Sequence, residues 1–134
     1  WVTEIPNQEI REQICVNLLQ ELDFAPNIAI QWSNSTDNKI RTTGYWLLAR
    51  LLLSKKNRET IDIASLPAIW TDILSVDLFL RNASMLAIKH IGRQSKDIAD
   101  VIKNKLAPLQ NDANPIKQEI YNNISFEFEF FWGE

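Results

Sequence analysis

The chain has 134 residues, of which 46% are hydrophobic and 23% are charged, and its net charge is −3. This size suits one ordinary core, and the composition excludes a disordered chain. With three glycines in all, few positions favour turns with positive φ, so an all-β fold is disfavoured. The single cysteine, Cys15, cannot form an intramolecular disulfide, which fits a reducing, cytoplasmic location. No apolar run reaches the roughly 18 residues of a membrane helix.

Helical periodicity dominates the first half of the chain. Apolar residues at four-residue steps predict an amphipathic helix over about 7–22, and Pro26 opens a short helix through Trp32. Asp37 is the predicted N-cap of a longer helix that ends at residues 55–58. Another short helix is expected from Ser65 to about Leu74. The predicted inward positions of the long helix are Ile40, Gly44, Leu47, Leu48, Leu51 and Leu52.

Capping residues and apolar spacing also predict helices in the second half of the chain. Asp77 caps a predicted helix that ends near Gly92, and Ser95 caps the next one, which Pro108 closes. The second of these helices is expected to bury Ile98, Val101, Ile102 and Leu106. Residues 114–123 form the last predicted helix, and the aromatic and acidic alternation over 124–134 predicts an extended tail docked by its aromatic side.

One internal match indicates a repeat. Residues 35–41 resemble residues 75–81 at an offset of 40 residues. A period of about 40 to 47 residues with a helix pair in each unit is typical of HEAT and armadillo solenoids. We therefore predict an all-α superhelix, with 1–134 as one repeat domain. Its helix pairs would span about 7–33, 37–74 and 77–109, followed by the helix 114–123 and the tail 124–134.

The charges are unevenly distributed. Residues 39–105 hold twelve Lys/Arg against six Asp/Glu, so the flanks are acidic. Such a basic middle is compatible with a face that tracks phosphates, but the charges alone favour ordinary solvated helix faces. Arg41 and Arg81 share one repeat position, where an arginine can bind a phosphate or pair with an aspartate of the neighbouring repeat. Lys89 and Arg93 lie on one helix face.

Motifs for other chemistry are missing from the sequence. One histidine and one cysteine cannot build a closed zinc site, so we expect no metal and no other cofactor. His90 is expected to be an ordinary helix residue. There is no glycine-rich phosphate loop and no nucleophile elbow.

A family resemblance covers most of the chain. Residues 32–37, followed by Arg41 and the Gly44-Tyr45-Trp46 run, resemble the central repeat of the HEAT-like DNA alkylation repair proteins of the AlkD type. Residues 80–83 and 89–93 resemble the following repeat, and residues 12–18 resemble the helix that carries the catalytic acid. The resemblance covers the C-terminal part of a family member, and the chain begins with Trp1, so we expect a longer protein.

The resemblance implies a basic concave solenoid that grips duplex DNA and removes alkylated bases. Arg41 matches the family's arginine, and Glu12 stands in place of its catalytic aspartate. Gln8 and Leu86 stand where the family has tryptophans, which implies altered or lost glycosylase activity. The DNA-binding residues would be Arg41, Arg81, Lys89 and Arg93.

Two alternatives stay open beside that interpretation. Glu12 can instead be a surface helix residue paired with a cation. The whole chain can be a protein-interaction scaffold with no nucleic-acid role, because the concave face of a solenoid serves either purpose. Neither the DNA-binding function nor the scaffold function predicts a membrane partner.

Overall fold

The structure, a computed structural model, describes residues 25–53 and 60–133. Over these ranges the chain is helical and contains no strand, which confirms the all-α fold class. The predicted helix 7–22 and the predicted helix end at 55–58 lie outside the described residues. The chain divides into two compact units, Trp1–Ile88 and Lys89–Glu134.

In the first unit, α1 (Ala25–Ser33) and α2 (Asn38–Leu53) pack closely together at Gly44. A Cβ atom at position 44 would lie 2.6 Å from the backbone nitrogen of Ser33, so only glycine permits this approach. The inward face predicted for α2 is confirmed at Gly44, Leu47, Leu48 and Leu51, whereas Ile40 and Leu52 are half-buried. These contacts fix the helix that carries Arg41.

The short helix predicted from Ser65 to about Leu74 is shorter than expected. A 3₁₀ turn at Ile63–Ser65 precedes α3 (Ile69–Asp72), where the sequence suggested one continuous helix. Pro67 explains the break, because the residue before a proline is pushed out of the α conformation, and Leu66 has φ −124° and ψ 62°. Helix α4 (Leu78–Gly92) follows, and its predicted start at Asp77 and end at Gly92 are both confirmed.

The second unit contains α5 (Lys96–Leu106), a 3₁₀ turn at Ala107–Asn111 and α6 (Pro115–Trp132). Ser95 caps α5 as predicted, since its Oγ accepts from the backbone N–H of Ile98 at 3.1 Å. The prediction for Val101 was wrong: this side chain is 55% exposed. The buried positions of α5 are Ala99, Ile102 and Leu106, and Val101 lies about 100° around the helix from Ile102.

The extended tail predicted over 124–134 was also wrong, because α6 continues through Trp132 instead of ending near residue 123. Ile120, Ile124 and Phe128 recur at four-residue steps and are buried, which is the spacing of one helix face. Phe126 and Phe130 point to the opposite side and are 70% and 82% exposed. The phenylalanines that alternate with acidic residues in the sequence therefore lie on two opposite faces of a helix.

Candidate functional site

Arg41 lies in a buried network of hydrogen bonds. Its Nε donates to Asp72 Oδ2 at 2.7 Å and its Nη2 donates to Asp72 Oδ1 at 3.0 Å. The remaining guanidinium contacts are to the backbone oxygen of Ser35 at 3.0 Å and to Asn38 Oδ1 at 2.9 Å. The paired side chains are only 14% and 6% exposed. Arg41 therefore pairs with an aspartate, and this aspartate lies within the same predicted helix pair, 37–74, and not in a neighbouring one.

Tyr45 completes this network. Its hydroxyl donates to Asp72 Oδ2 at 2.6 Å, and the whole side chain is buried. Burial, followed by the hydrogen bond to Asp72, raises the pKa of Tyr45 far above its ordinary value. The hydrogen bond to Asp72 likewise raises the pKa of Arg41, although burial acts in the opposite direction. The network joins α2 to α3 and leaves Arg41 little capacity to bind a phosphate.

Arg81 occupies the matching position at the start of α4. The two helix starts share three contacts: a serine hydroxyl accepts from the N–H of the cap residue, and the cap carboxylate accepts from two backbone N–H groups further on. These distances are 3.1, 2.8 and 3.1 Å around Asp37, and 3.0, 3.1 and 3.3 Å around Asp77. The 40-residue match in sequence is therefore also a match in local structure.

Three basic side chains, Lys89, His90 and Arg93, lie together at the end of α4. Burial, followed by the charge of Arg93, lowers the pKa of Lys89. Burial, Arg93 and Lys89 together lower the pKa of His90. Because the cations of this basic cluster disfavour one another, a bound anion would stabilise it.

Arg93 is held by contacts with α6. Its Nη2 pairs with Glu127, and its guanidinium carbon lies 5.2 Å from the ring centroid of Phe131. One residue earlier, the carbonyl oxygen of Gly92 accepts from Trp132 Nε1 at 3.1 Å. These contacts fix the end of α6 and partly neutralise Arg93, so Lys89 is the cluster's less compensated cation.

Lys89 also lines a groove of ≈ 410 Å³ beside α6. The other lining residues belong to α6 and are Glu119, Asn122, Asn123, Phe126 and Glu127. The first four of these follow the spacing i, i+3, i+4 and i+7, which places them along one stripe of the helix. We call this feature the α6 groove. It combines a cation, an exposed ring and polar side chains.

Positive and negative charges are equal in number within the described part of each unit. The described part of the first unit has four Lys/Arg and four Asp/Glu, and that of the second has six of each. The basic excess predicted for the middle of the chain therefore does not make either described part cationic. A nucleic-acid interface here would depend on local clusters.

Sequence reasoning found some of these residues and missed others. Lys89 and Arg93 were predicted to share a face and do lie in one cluster, whereas Glu12 lies outside the described residues. Asp72 and Glu127 were missed as partners of the arginines, because they lie 31 and 34 residues away in the chain. Three residues of the stripe lie within the predicted helix 114–123, and the whole stripe would have been recognised had that helix been extended to Phe126.

The described residues show neither a metal site nor a membrane-spanning helix. No three His, Cys, Asp or Glu side chains there come together as metal ligands. None of the helices in these ranges has the length and apolar character needed to cross a membrane. Comparison of the chain with protein-family models, with curated proteins and with solved structures finds no match.

Proposed function

We propose that the chain is a HEAT-like repeat module of the DNA alkylation repair type that binds duplex DNA, with base excision altered or lost. The repeat part of this proposal is supported by the two helix starts that share their contacts around Asp37 and Asp77. In a repeat protein, successive helix pairs share the capping residue at the helix start as well as the apolar face. Stacked pairs would then supply the core that one pair cannot provide alone.

The DNA-binding part rests on the basic cluster at the end of α4. Lys89 and His90 have lowered pKa values caused by burial and by neighbouring cations, so a phosphate placed there would be stabilising. Arg81 remains a further proposed phosphate contact, and Arg93 contributes its residual charge. The proposed interface contacts the DNA backbone and therefore has no sequence preference.

Loss or alteration of excision is supported by the surroundings of Arg41. A step that used its guanidinium on a substrate would first have to break the ion pair with Asp72. A carboxylate such as Glu12 can stabilise positive charge on a sugar, but only when it is closely positioned. We expect little base release from DNA that contains 7-methylguanine. Robust release that disappears in Glu12→Gln would contradict this part of the proposal.

Duplex binding is tested by a salt titration of the full chain. We expect the logarithm of affinity to fall linearly with the logarithm of salt concentration, with a slope of about −0.9 for each phosphate contact. Lys89→Glu should weaken binding more than the matched control Lys117→Glu, whose lysine lies near Asp112 at 3.8 Å. Arg41→Glu is unsuitable, since it would place two carboxylates together in a buried site. Equal effects of the two lysine variants, or binding that does not depend on salt, would defeat the proposal.

A protein-interaction scaffold is the second candidate. It is favoured by the exposure of Phe126 and Phe130 on the outer side of α6 and by the equal numbers of positive and negative side chains in the described part of each unit. Exposed apolar patches often mark protein contacts. A scaffold of this kind should bind no DNA even at low salt. The salt titration of duplex binding therefore distinguishes the two functions.

A further inference from the structure

We propose that the α6 groove holds one unstacked nucleotide of single-stranded DNA, with the base on Phe126 and the phosphate at Lys89. This inference rests on the proposed DNA-binding function and extends it from paired to unpaired strands. Four observations support it, namely the groove's size, its cation, its exposed ring and its polar edge.

The size of the groove suits a single nucleotide. The stripe from Glu119 to Phe126 covers about 10 Å of helix at a rise of 1.5 Å per residue. The volume of ≈ 410 Å³ lies in the range of small-ligand sites, about 300–1,000 Å³. A site of this length has room for one base with its sugar and phosphate, and no room for a paired stretch.

The cation of the groove is available to a ligand. The carboxylate nearest in chain order to Phe126 is that of Glu127, and it is paired with Arg93. Lys89 is half-buried and lines the groove together with Glu127, and burial and the charge of Arg93 lower its pKa. A phosphate oxygen at Lys89 would favour the charged form of the lysine and would raise its pKa toward the ordinary value.

Phe126 provides the surface for the base. Its side chain is 70% exposed, whereas Phe128 of the same helix is fully buried against Gly92. An exposed ring beside a cation is the arrangement on which proteins stack bases of single strands. Phe130 is even more exposed at 82% but does not line the groove, which makes it a matched control.

The remaining lining residues give the groove a polar edge. Asn122 and Asn123 each offer an amide donor and acceptor, whereas an ionised Glu119 only accepts hydrogen bonds. A carboxylate at the base edge pairs with an exocyclic amino group, as on cytosine, and has no such partner on thymine. The groove should therefore bind dC oligonucleotides more tightly than dT oligonucleotides.

The test measures binding of short dC and dT single strands and of a duplex to the full chain by fluorescence anisotropy. Phe126→Ala should weaken single-strand binding about tenfold, because the variant loses the ring on which the base stacks, and should leave duplex binding unchanged. Phe130→Ala should change neither. Lys89→Met should weaken both, and Glu119→Gln should reduce the preference for dC. Since these side chains are exposed or half-buried, equal thermal melts would show that each variant is folded.

Three results would overturn the inference. The first is equal single-strand affinity of Phe126→Ala and Phe130→Ala. The second is a parent chain that binds duplex but no single strand, which leaves the proposed function intact. The third is a parent that binds neither form of DNA, in which case the proposed function fails together with the inference. Binding of an acidic aromatic peptide that nucleotides do not displace would assign the groove to a protein ligand instead.

Discussion

Substitution of Asp72 by asparagine should destabilise the first unit strongly. The carboxylate accepts three hydrogen bonds, from Arg41 Nε at 2.7 Å, Arg41 Nη2 at 3.0 Å and the Tyr45 hydroxyl at 2.6 Å. An amide at this position has the same shape, but it carries no charge and turns one acceptor into a donor. The guanidinium of Arg41 would remain buried without its counter-charge.

The size of the effect follows from burial. Removal of one partner of a buried ion pair costs about 3–5 kcal/mol, which is a large part of the roughly 5–15 kcal/mol that stabilises a typical domain. Tyr45→Phe should cost less, about 1.5–3 kcal/mol, since it removes one hydrogen bond to a charged acceptor and leaves the ion pair. The double variant Arg41→Met with Asp72→Leu removes both charges and should be more stable than Asp72→Asn.

Urea unfolding followed by tryptophan fluorescence measures these differences, because Trp46 and Trp70 lie close in the chain to Tyr45 and Asp72. Arg50→Met is the matched control, as this exposed arginine of the same helix should contribute within about 0.5 kcal/mol. Equal free energies of unfolding for Asp72→Asn and Arg50→Met would contradict the stabilising role of this ion pair. A double variant as unstable as Asp72→Asn would contradict it as well.

Two further predictions concern the second unit. Gly92→Ala should lower the melting temperature, because the new methyl group would meet the buried ring of Phe128, and overpacking of about 1–3 kcal/mol outweighs the gain of about 1 kcal/mol in helix propensity. Phe128→Leu added to it should recover part of the loss in thermal melts, and a variant at least as stable as the parent would contradict this packing. The imidazole of His90, the chain's single histidine, should titrate by NMR below its ordinary pKa of 6.5, and Lys89→Met should move its pKa upward. The imidazole of His90 therefore binds a proton more readily in the unfolded chain than in the folded chain. As a result, the free energy of unfolding should decrease as the pH falls below 6.5. A His90 pKa that Lys89→Met moves no more than Lys117→Met does would show that the two side chains do not interact.

Helix starts were the most predictable part of the fold. Asp37, Asp77, Ser95 and Asn114 were each expected to begin a helix, and each accepts a hydrogen bond from a backbone N–H two or three residues later. A cap involves only consecutive residues, so its signal is complete within a short piece of sequence. The proximity of Lys89 and Arg93 was predictable for the same reason, since residues four apart lie on one face of a helix.

The errors arose where two patterns overlapped or where a partner lay far away in sequence. In the last segment, Phe126 and Phe128 alternate with acids, and Ile124 and Phe128 also have helix spacing. The hydrophobic contact of Phe128 with Gly92, 36 residues earlier, favours the helix, and no local pattern reports it. Arg41 raised the same difficulty, because its position at a helix start fits a phosphate and an aspartate equally, and only the folded chain brings Asp72 to it.

The sequence of the last turns of α6 is compatible with an extended strand as well as with a helix, and the folded unit stabilises the helix. In an extended chain Phe126, Phe128 and Phe130 would share one face, and copies of the segment could stack as strands in an amyloid-like assembly. In the helix, Phe128 is buried and Glu127 is paired with Arg93, so neither takes part in such stacking. The ionised side chains of Glu127 and Glu129 act as gatekeepers in the unfolded segment, because like charges on neighbouring strands repel one another. The ion pair with Arg93 therefore fixes α6 and at the same time holds the segment in a conformation that cannot stack as strands.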